Sequence, residues 1–419
     1  MNLVHAGKRP LIRCQECDEL FVVPDAPDKT TVKCARCGAV LYKRNTRSIA
    51  NAFIFNLTAL ILLLLANSFP FLSMSIEGSV QTSKLISGAL AVYRQGMWEV
   101  GLLVLLVMIV VPLAKILTNL YVLAPLHFGR RAPFAEQAAR LVELISPWSM
   151  AEVFLLGVLV TCVKLADLGT IKVGVALFCF VAMIVAMAAG DAANEPREVW
   201  ERLERSRPQP LPDPRERKRL LSCHVCHLVC RVDPHTEDES AFCPRCGATL
   251  HQRKPDSLNR TWALVIAAAI LYIPANVYPV MTVVSFGKPF VNTILGGVQE
   301  LISSGMWPLA VLVFFASITV PMLKLVGLIF LLISIHRRSR WRPADRTRLY
   351  RIIDAVGRWS MVDIFVLAIT AALVQMGSIA TIVPGVGAMA FASVVVLTIF
   401  AAMSFDPRLI WDAAGANRD

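Results

Sequence analysis

Four long apolar runs follow a polar stretch, and then the whole arrangement recurs. In the first half the runs are Ile49–Phe71, Trp98–Leu126, Trp148–Leu168 and Ile171–Ala189. In the second they are Leu258–Val280, Trp307–Ile335, Trp359–Met376 and Ile379–Ser404. A helix of about 20 apolar residues crosses a ~30 Å hydrocarbon core, so this pattern predicts eight transmembrane helices. Residues 72–97 are mixed and carry few charges. In the basic loop after the second run, which holds Arg130, Arg131 and Arg140, Phe134 to Ile145 has helical periodicity. Phe134, Ala138, Leu141, Val142 and Ile145 fall on one side, with Glu136 and Arg140 spaced for a pair. That pattern predicts a helix lying in the membrane interface.

The recurrence is close enough to count. Cys223, Cys226, Cys243 and Cys246 each lie 209 positions after Cys14, Cys17, Cys34 and Cys37. Asn276 and Pro279 follow Asn67 and Pro70 at the same offset, as do Pro321 and Lys324 after Pro112 and Lys115. After a two-residue insertion the offset is 211, matching Trp359 to Asp363 with Trp148 to Glu152 and Asp406 to Asp412 with Glu195 to Glu201. The predicted fold is therefore a polytopic α-helical membrane protein, a tandem parallel repeat of a Cys₄ zinc ribbon and four transmembrane helices. Its units are ribbon 1 (1–48), bundle 1 (49–200), a linker rich in Arg and Pro (201–222), ribbon 2 (223–257), bundle 2 (258–412) and a tail (413–419). An even number of spans per half places both halves the same way round.

Composition agrees with the membrane reading: 56% of the 419 residues are hydrophobic and 17% charged. The net charge of +12 could be a nucleic-acid footprint, but its distribution argues otherwise. Of 42 Lys and Arg residues, only Lys84, Arg94, Lys172 and Lys288 fall in the loops on the opposite side, and Lys115, Lys164, Arg260 and Lys324 within or at the edges of spans. The rest lie in the ribbons, the loops after spans two and six, the linker and the tail. The positive-inside rule then puts ribbons, linker and both termini in the cytoplasm. Met1 to Pro10 lacks the apolar core of a signal peptide.

Candidate chemistry is confined to a few places. Each half has two Cys-x-x-Cys pairs separated by 16 residues, the spacing of a tetrahedral Cys₄ zinc site; spacing alone does not separate zinc from iron. Gly38 after Cys37 suits a tight knuckle whose N–H groups face thiolates. Ribbon 2 adds His224, His227, Cys230, His235 and His251, which either substitute in the metal shell or sense metal; solvated loop histidines are the favoured reading, because Cys₄ already completes a tetrahedral zinc. Cys162 and Cys179 read as packing residues.

Lys115 and Lys324 lie inside lipid-length runs, three residues after Pro112 and Pro321. A charge there is costly unless it faces a partner or a cavity, and a proline frees a backbone carbonyl. Glu152 and Asp363, on the next span of each half, are the candidate counter-charges. Three readings stay open: a structural ion pair, the lining of a polar cavity or lipid-headgroup site, and a proton relay. Lys164 and Glu99 read as interfacial. Asn67 and Asn276, where the first and fifth spans end, mark either a broken helix beside a cavity or ordinary helix termination, and the latter is favoured. No G-x-x-x-x-G-K-[ST], H-E-x-x-H or Ser-His-Asp set is present, so an ATPase or hydrolase is not expected in this chain.

The doubled Cys₄ ribbons, Leu271-Tyr272-Ile273-Pro274-Ala275-Asn276, Val320-Pro321-Met322-Leu323-Lys324, Gly357 to Asp363 and Phe405 to Asp412 together resemble the PqiA/LetA family, the paraquat-inducible protein A group of Gram-negative inner-membrane proteins. The resemblance covers nearly the whole chain. It implies the inner-membrane component of a lipid-trafficking system that exchanges phospholipid with a periplasm-spanning MCE-domain protein. Lys115, Lys324, Glu152, Asp363, Asn67 and Asn276 would then be candidate substrate-binding residues. The rival readings are a secondary transporter of a small solute or ion, and a membrane-bound metal or redox sensor.

Overall fold

The structure, a computed structural model, describes residues 11–22, 30–43, 48–76, 79–130, 132–165, 169–204, 220–232, 241–285, 288–374 and 380–415. Arg131, His235 and most of the linker lie outside the described residues. The chain opens with two antiparallel hairpins, β1 (Leu11–Arg13) with β2 (Leu20–Val22) and β3 (Thr31–Lys33) with β4 (Val40–Lys43). Each hairpin turns through a Cys-x-x-Cys knuckle. At the turn Gly38 takes φ +74°, where a glycine is unstrained, while Asp18 takes φ 65° at the matching place.

Bundle 1 runs through α1 (Ser48–Ser68), β5 (Leu72–Ile76), β6 (Ser79–Ser83), α2 (Ser87–Arg94), α3 (Trp98–Leu105), α4 (Val111–His127), α5 (Ala135–Ile145), α6 (Ala151–Leu165), β7 (Thr170–Val173), α7 (Val175–Ala193) and α8 (Pro196–Leu203). The second half repeats this order. A short cysteine module with β8 (Leu220–Ser222) and β9 (Val229–Arg231) leads into α9 (Ser257–Val277), β10 (Met281–Ser285), β11 (Lys288–Asn292) and α10 (Ile294–Ser303). Then come α11 (Trp307–Phe314), α12 (Val320–His336), α13 (Pro343–Gly357), α14 (Val362–Leu373), β12 (Ala380–Pro384), α15 (Val386–Ser404) and α16 (Arg408–Ala413).

Among the described residues, seven helical stretches are long and apolar enough to cross a membrane: Ser48–Ser68, Trp98–His127, Ala135–Leu165, Val175–Ala193, Ser257–Val277, Ala310–His336 and Val386–Ser404. The remaining expected span, Trp359–Met376, the seventh in order, corresponds to α14, whose 12 described residues extend only ~18 Å at 1.5 Å per residue.

Two further expectations need correction. Ile171 and Ile379 were the starts of spans by hydropathy, but the structure begins those helices at Val175 and Val386 and puts strands before them. The strands join three-stranded antiparallel sheets, ordered β6-β5-β7 and β11-β10-β12, so the mixed stretch after span one is also β-structure. Thr170-Ile171-Lys172-Val173 alternates and is β-branched at three of four positions, which favours a strand. Gly174 and Gly385 then let the backbone pass close to the carbonyls of Pro70 and Pro279, where a Cβ would clash.

Pro112 and Pro321 do not break their helices. A π-helical turn, Leu106–Val110 or Phe315–Thr319, precedes each and absorbs the lost hydrogen bond and the ring's demand for room. Within each half the first span packs along the fourth, α1 on α7 and α9 on α15. The halves meet where α6 crosses α14: Phe154 and Phe365 stack edge-on with centroids 5.4 Å apart, and a Cβ on Gly157 would lie 2.9 Å from Phe365 Cβ.

The cysteine modules cross over. The N-terminal module joins a core made by the second half, with Leu325, Leu328, Ile353, Phe405 and Trp411. The central module joins Val122, Leu126, Trp200 and Leu203 of the first half. Polar contacts follow the same exchange. Arg351 on α13 bonds Glu16 at 2.7 Å and also donates to the Cys37 carbonyl, and Arg36 lies 4.5 Å from the Trp411 ring. Arg245 pairs with Glu204 at 3.0 Å. Arg140, which the sequence places opposite Glu136, instead lies against Gly247. The modules also touch each other, through Gln15 and Ser222 at 2.9 Å.

Candidate metal centres and a membrane cavity

The knuckles bring Cys14, Cys17, Cys34 and Cys37 together, and likewise Cys223, Cys226, Cys243 and Cys246. All eight are buried, and in each set the four sulfurs lie within 4.8 Å of one another. Sulfur pairs approach to 3.4–3.6 Å. Hydrogen bonds from Cys14 and Cys37, and then burial, hold the Cys17 thiol above its ordinary range; Cys223, Cys243 and Cys246 do the same to Cys226. Four such sulfurs ionise together only around a cation, so both clusters fit a metal ion. His224, His227 and His251 are exposed and lie outside the clusters, whereas Cys230 is buried beside its own. Cys162 and Cys179 pack against the main core as expected.

The pairs Lys115–Glu152 and Lys324–Asp363 do not form. Lys115, 5% exposed, donates to Asp191 at 2.7 Å, a residue near the end of α7. Glu152 is exposed. Sequence reasoning missed Asp191 because the fourth run was ended at Ala189, two residues short of it. Lys324, 1% exposed, donates to the Gly357 carbonyl at 3.2 Å and Thr398 Oγ1 at 2.7 Å. It thereby caps the C-terminal end of α13, where the helix dipole favours a cation.

Asp363 belongs to a different site. With Lys164 it faces a partly open pocket of ≈ 630 Å³, a volume that includes its open mouth, walled by Val160 of α6, Ile294, Gly297 and Leu301 of α10, Val313, Val366 and Leu367, and bounded by Val280 and by Met281 at the start of β10. Ser317 lies beside Asp363, and Asp363 Oδ2 is buried with no hydrogen-bond partner among the described residues. The polar side chains are positioned from both halves: Lys164 from the last turn of α6, Asp363 from the first turn of α14, Ser317 from the π-turn ahead of Pro321. Lys164, read from sequence as interfacial, is thus a cavity residue. The overlooked signal was the position of its repeat mate, 211 residues on, which falls at Gln375 rather than at a second lysine.

The related place on the other side of the α6–α14 contact is filled. There α2 lies against α14, and a Cβ on Gly88 would sit 3.2 Å from the Ala368 carbonyl. Gly297, the repeat mate of Gly88, has nothing within 4 Å. Asn67 and Asn276 enter neither place: each side-chain amide donates at 2.8 Å to a carbonyl one turn earlier in its own helix, Leu63 or Tyr272.

The closing motifs act as latches. Asp406 accepts from Lys254 N at 3.0 Å and from the Arg408 guanidinium at 2.8–2.9 Å, while Asp406 N donates to Ser257 Oγ at 2.9 Å. Burial opposes its charge, but Arg408 and these N–H groups hold the Asp406 carboxyl below the usual range. In the first half Glu195 N donates to Ser48 Oγ at 3.0 Å, and Glu195 accepts from Lys43 N at 3.1 Å. Each latch ties the end of a fourth span to the start of a first.

The sequence model of the family described as Paraquat-inducible protein A matches residues 49–204 and 258–415, once for each half. The chain belongs to this family. It is 34% identical over 418 residues to the Intermembrane transport protein PqiA of Escherichia coli K12, covering 97% of this chain and 96% of that protein. To the Lipophilic envelope-spanning tunnel protein A of the same organism it is 32% identical over 402 residues, covering 96% and 91%. To the Probable intermembrane transport protein of Haemophilus influenzae it is 26% identical over 409 residues, covering 96% and 95%. No solved structure matches the chain. The family model matches each bundle and leaves both cysteine modules outside its two matches.

Proposed function

We propose that this chain is the inner-membrane component of an intermembrane lipid transport system. It passes phospholipid to or from a periplasm-spanning MCE-domain partner and catalyses no covalent chemistry. The observation that carries this reading is the cavity. Its walls are apolar enough for acyl chains, and Lys164, Asp363 and Ser317 offer a cation, an acid and a hydroxyl to a headgroup. Lys164 suits a phosphate and Asp363 an amine, a match to a zwitterionic lipid. The names of the relatives support the transport reading, and two of them are called intermembrane transport proteins, one as probable.

In this reading eight spans cross the membrane, the seventh built from α13 and α14 together, with both modules and both termini cytoplasmic by the distribution of Lys and Arg. The cavity then lies toward the periplasmic side, because Met281, which borders it, belongs to a sheet on the face opposite the modules. Each module is a zinc ribbon whose metal is structural, the commoner choice for four buried thiolates. Lys115 and Lys324 are not headgroup ligands in this reading, since each is already bonded within the protein.

The test is lipid occupancy of the chain and its MCE-domain partner, purified together after photocrosslinking. Lys164→Gln and Asp363→Leu are expected to lower occupancy by tenfold or more, with Glu152→Gln near wild type. Wild-type occupancy in both cavity variants would remove the cavity from the transport path.

A further inference from the structure

We propose that the cytoplasmic end of α12 carries a built-in binding site for one anionic phospholipid of the inner leaflet. The site lies on the outside of bundle 2, apart from the cavity. It rests on the membrane placement and orientation proposed above, and not on lipid transport.

The first observation is a stripe. Leu323, Val326, Phe330 and Ile333 are 62, 58, 43 and 40% exposed, and their spacing puts them on one face of α12. From Leu323 to Ile333 the stripe is ~15 Å long at 1.5 Å per residue. That is about half of a ~30 Å hydrocarbon core, the depth of one leaflet.

The second is what ends the stripe. Arg337, just past the helix, continues the same angular face, and Arg338, Arg340 and Arg342 follow within five residues, all exposed. Trp341 stands among them at 60% exposure. Guanidinium groups present paired donors to phosphate, and a tryptophan settles at the headgroup level. A chain lying along the stripe would bring its phosphate to Arg337.

The third is that the loop is held in shape. Arg346, 1% exposed, donates to Ser334 Oγ at 3.1 Å and to the Ser339 carbonyl at 2.8 Å, pinning both sides of the turn. Arg337, Arg338 and Ser339 donate backbone N–H groups back to Ile333, Ile335 and Ser334 at 2.9–3.0 Å. Arg338 and Arg342 adopt φ +47° and +32°, a left-handed backbone held at a cost in strain. Asp345 approaches Arg342 at 3.5 Å, which leaves the cluster net positive. The first half carries a thinner version: the repeat mates of Arg337, Arg338 and Arg342 are Phe128, Gly129 and Pro133, leaving Arg130 and Arg131.

The experiment is native mass spectrometry of the full-length protein released from micelles holding equal amounts of phosphatidylglycerol and phosphatidylethanolamine. Wild type is expected to retain phosphatidylglycerol preferentially, and R337Q/R338Q to lower that preference threefold or more. R337K/R338K should restore most of it, and Arg130→Gln should leave it intact. Excess inorganic phosphate should not displace the lipid. An unchanged preference in R337Q/R338Q, an equal loss in Arg130→Gln, or displacement by phosphate alone would each overturn the proposal. Asp363→Leu separates the two readings: the anionic-lipid preference survives it even if the cavity plays no part in transport.

Discussion

Lys115 and Lys324 are repeat mates, yet they are neutralised by different chemistry. Lys115 meets the carboxylate of Asp191, whereas Lys324 meets only a helix-terminal carbonyl and the Thr398 hydroxyl. The contrast spreads outward. Asn56, Asn119 and Asp191 of the first half correspond to Val265, Leu328 and Ala402 of the second. Asn119 bonds Asn56 at 3.4 Å, while Val265 and Leu328 pack in the apolar core that receives the N-terminal cysteine module. Toward the other side of the membrane the difference reverses: the second half keeps a buried acid, Asp363, where the first has exposed Glu152, and α10 stands off α6 where α2 closes on α14. Duplication thus supplied two equal scaffolds, and sequence divergence gave one a lysine–carboxylate pair and the other a cavity.

The crossed modules make the sharpest test of how the halves depend on each other. Chelating the metals, or Cys37→Ser, is expected to melt the module concerned, because structural zinc is worth about 10 kcal/mol or more in small modules. Hydrogen exchange should then rise most around α12 and α16 of the second half for Cys37→Ser, and around α4 and α8 of the first for Cys246→Ser. Exposure appearing in the same half as the substituted module would contradict the exchange.

The lysines come next. Lys324→Met removes a buried cation that has no carboxylate within ion-pair distance among the described residues, only the longer-range attraction of Asp354, so stability should be unchanged or higher. Lys115→Met leaves Asp191 unpaired but half exposed, and should cost about 1 kcal/mol by thermal or chemical denaturation. Equal losses at both positions would mean that the two sites are the same after all.

The paired glycines sharpen the comparison of cavities. Gly88→Ala pushes a methyl against the Ala368 carbonyl and should destabilise by about 1–3 kcal/mol, whereas Gly297→Ala faces open space and should be tolerated or mildly stabilising. A smaller effect is expected at the latch. The Asp406 carboxyl is held below its ordinary range in the folded protein, so its contribution is complete above the unfolded value near pH 4 and disappears as pH falls through the folded one. Asp406→Asn should therefore lower Tm at pH 7 and flatten the decline of Tm in acid.

Much of this architecture is legible in the amino-acid order. The repeat, the thiolate clusters and most of the helices follow from hydropathy and from Cys-x-x-Cys spacing, which are local signals. The sheets were hidden because Thr170-Ile171-Lys172-Val173 is apolar enough to extend a span, and its strand partner lies about a hundred residues earlier. The partner of Lys115 was hidden for a related reason: the neighbouring span in sequence supplies Glu152, but the neighbouring helix in space is the fourth. The crossing of the modules has no sequence signal of its own, since either bundle offers an apolar end. The role of Lys164 emerges only when α6 is placed against the opposite half.

The account stands on the cavity being open to lipid on one side of the α6–α14 contact and closed on the other. A diazirine-bearing residue at position 301, which lines the cavity, and another at its repeat mate 92, a buried position on α2, measure this directly in native membranes. Illumination is expected to yield phospholipid adducts at 301 and protein-only crosslinks at 92. Adducts at both positions, or at neither, would contradict it.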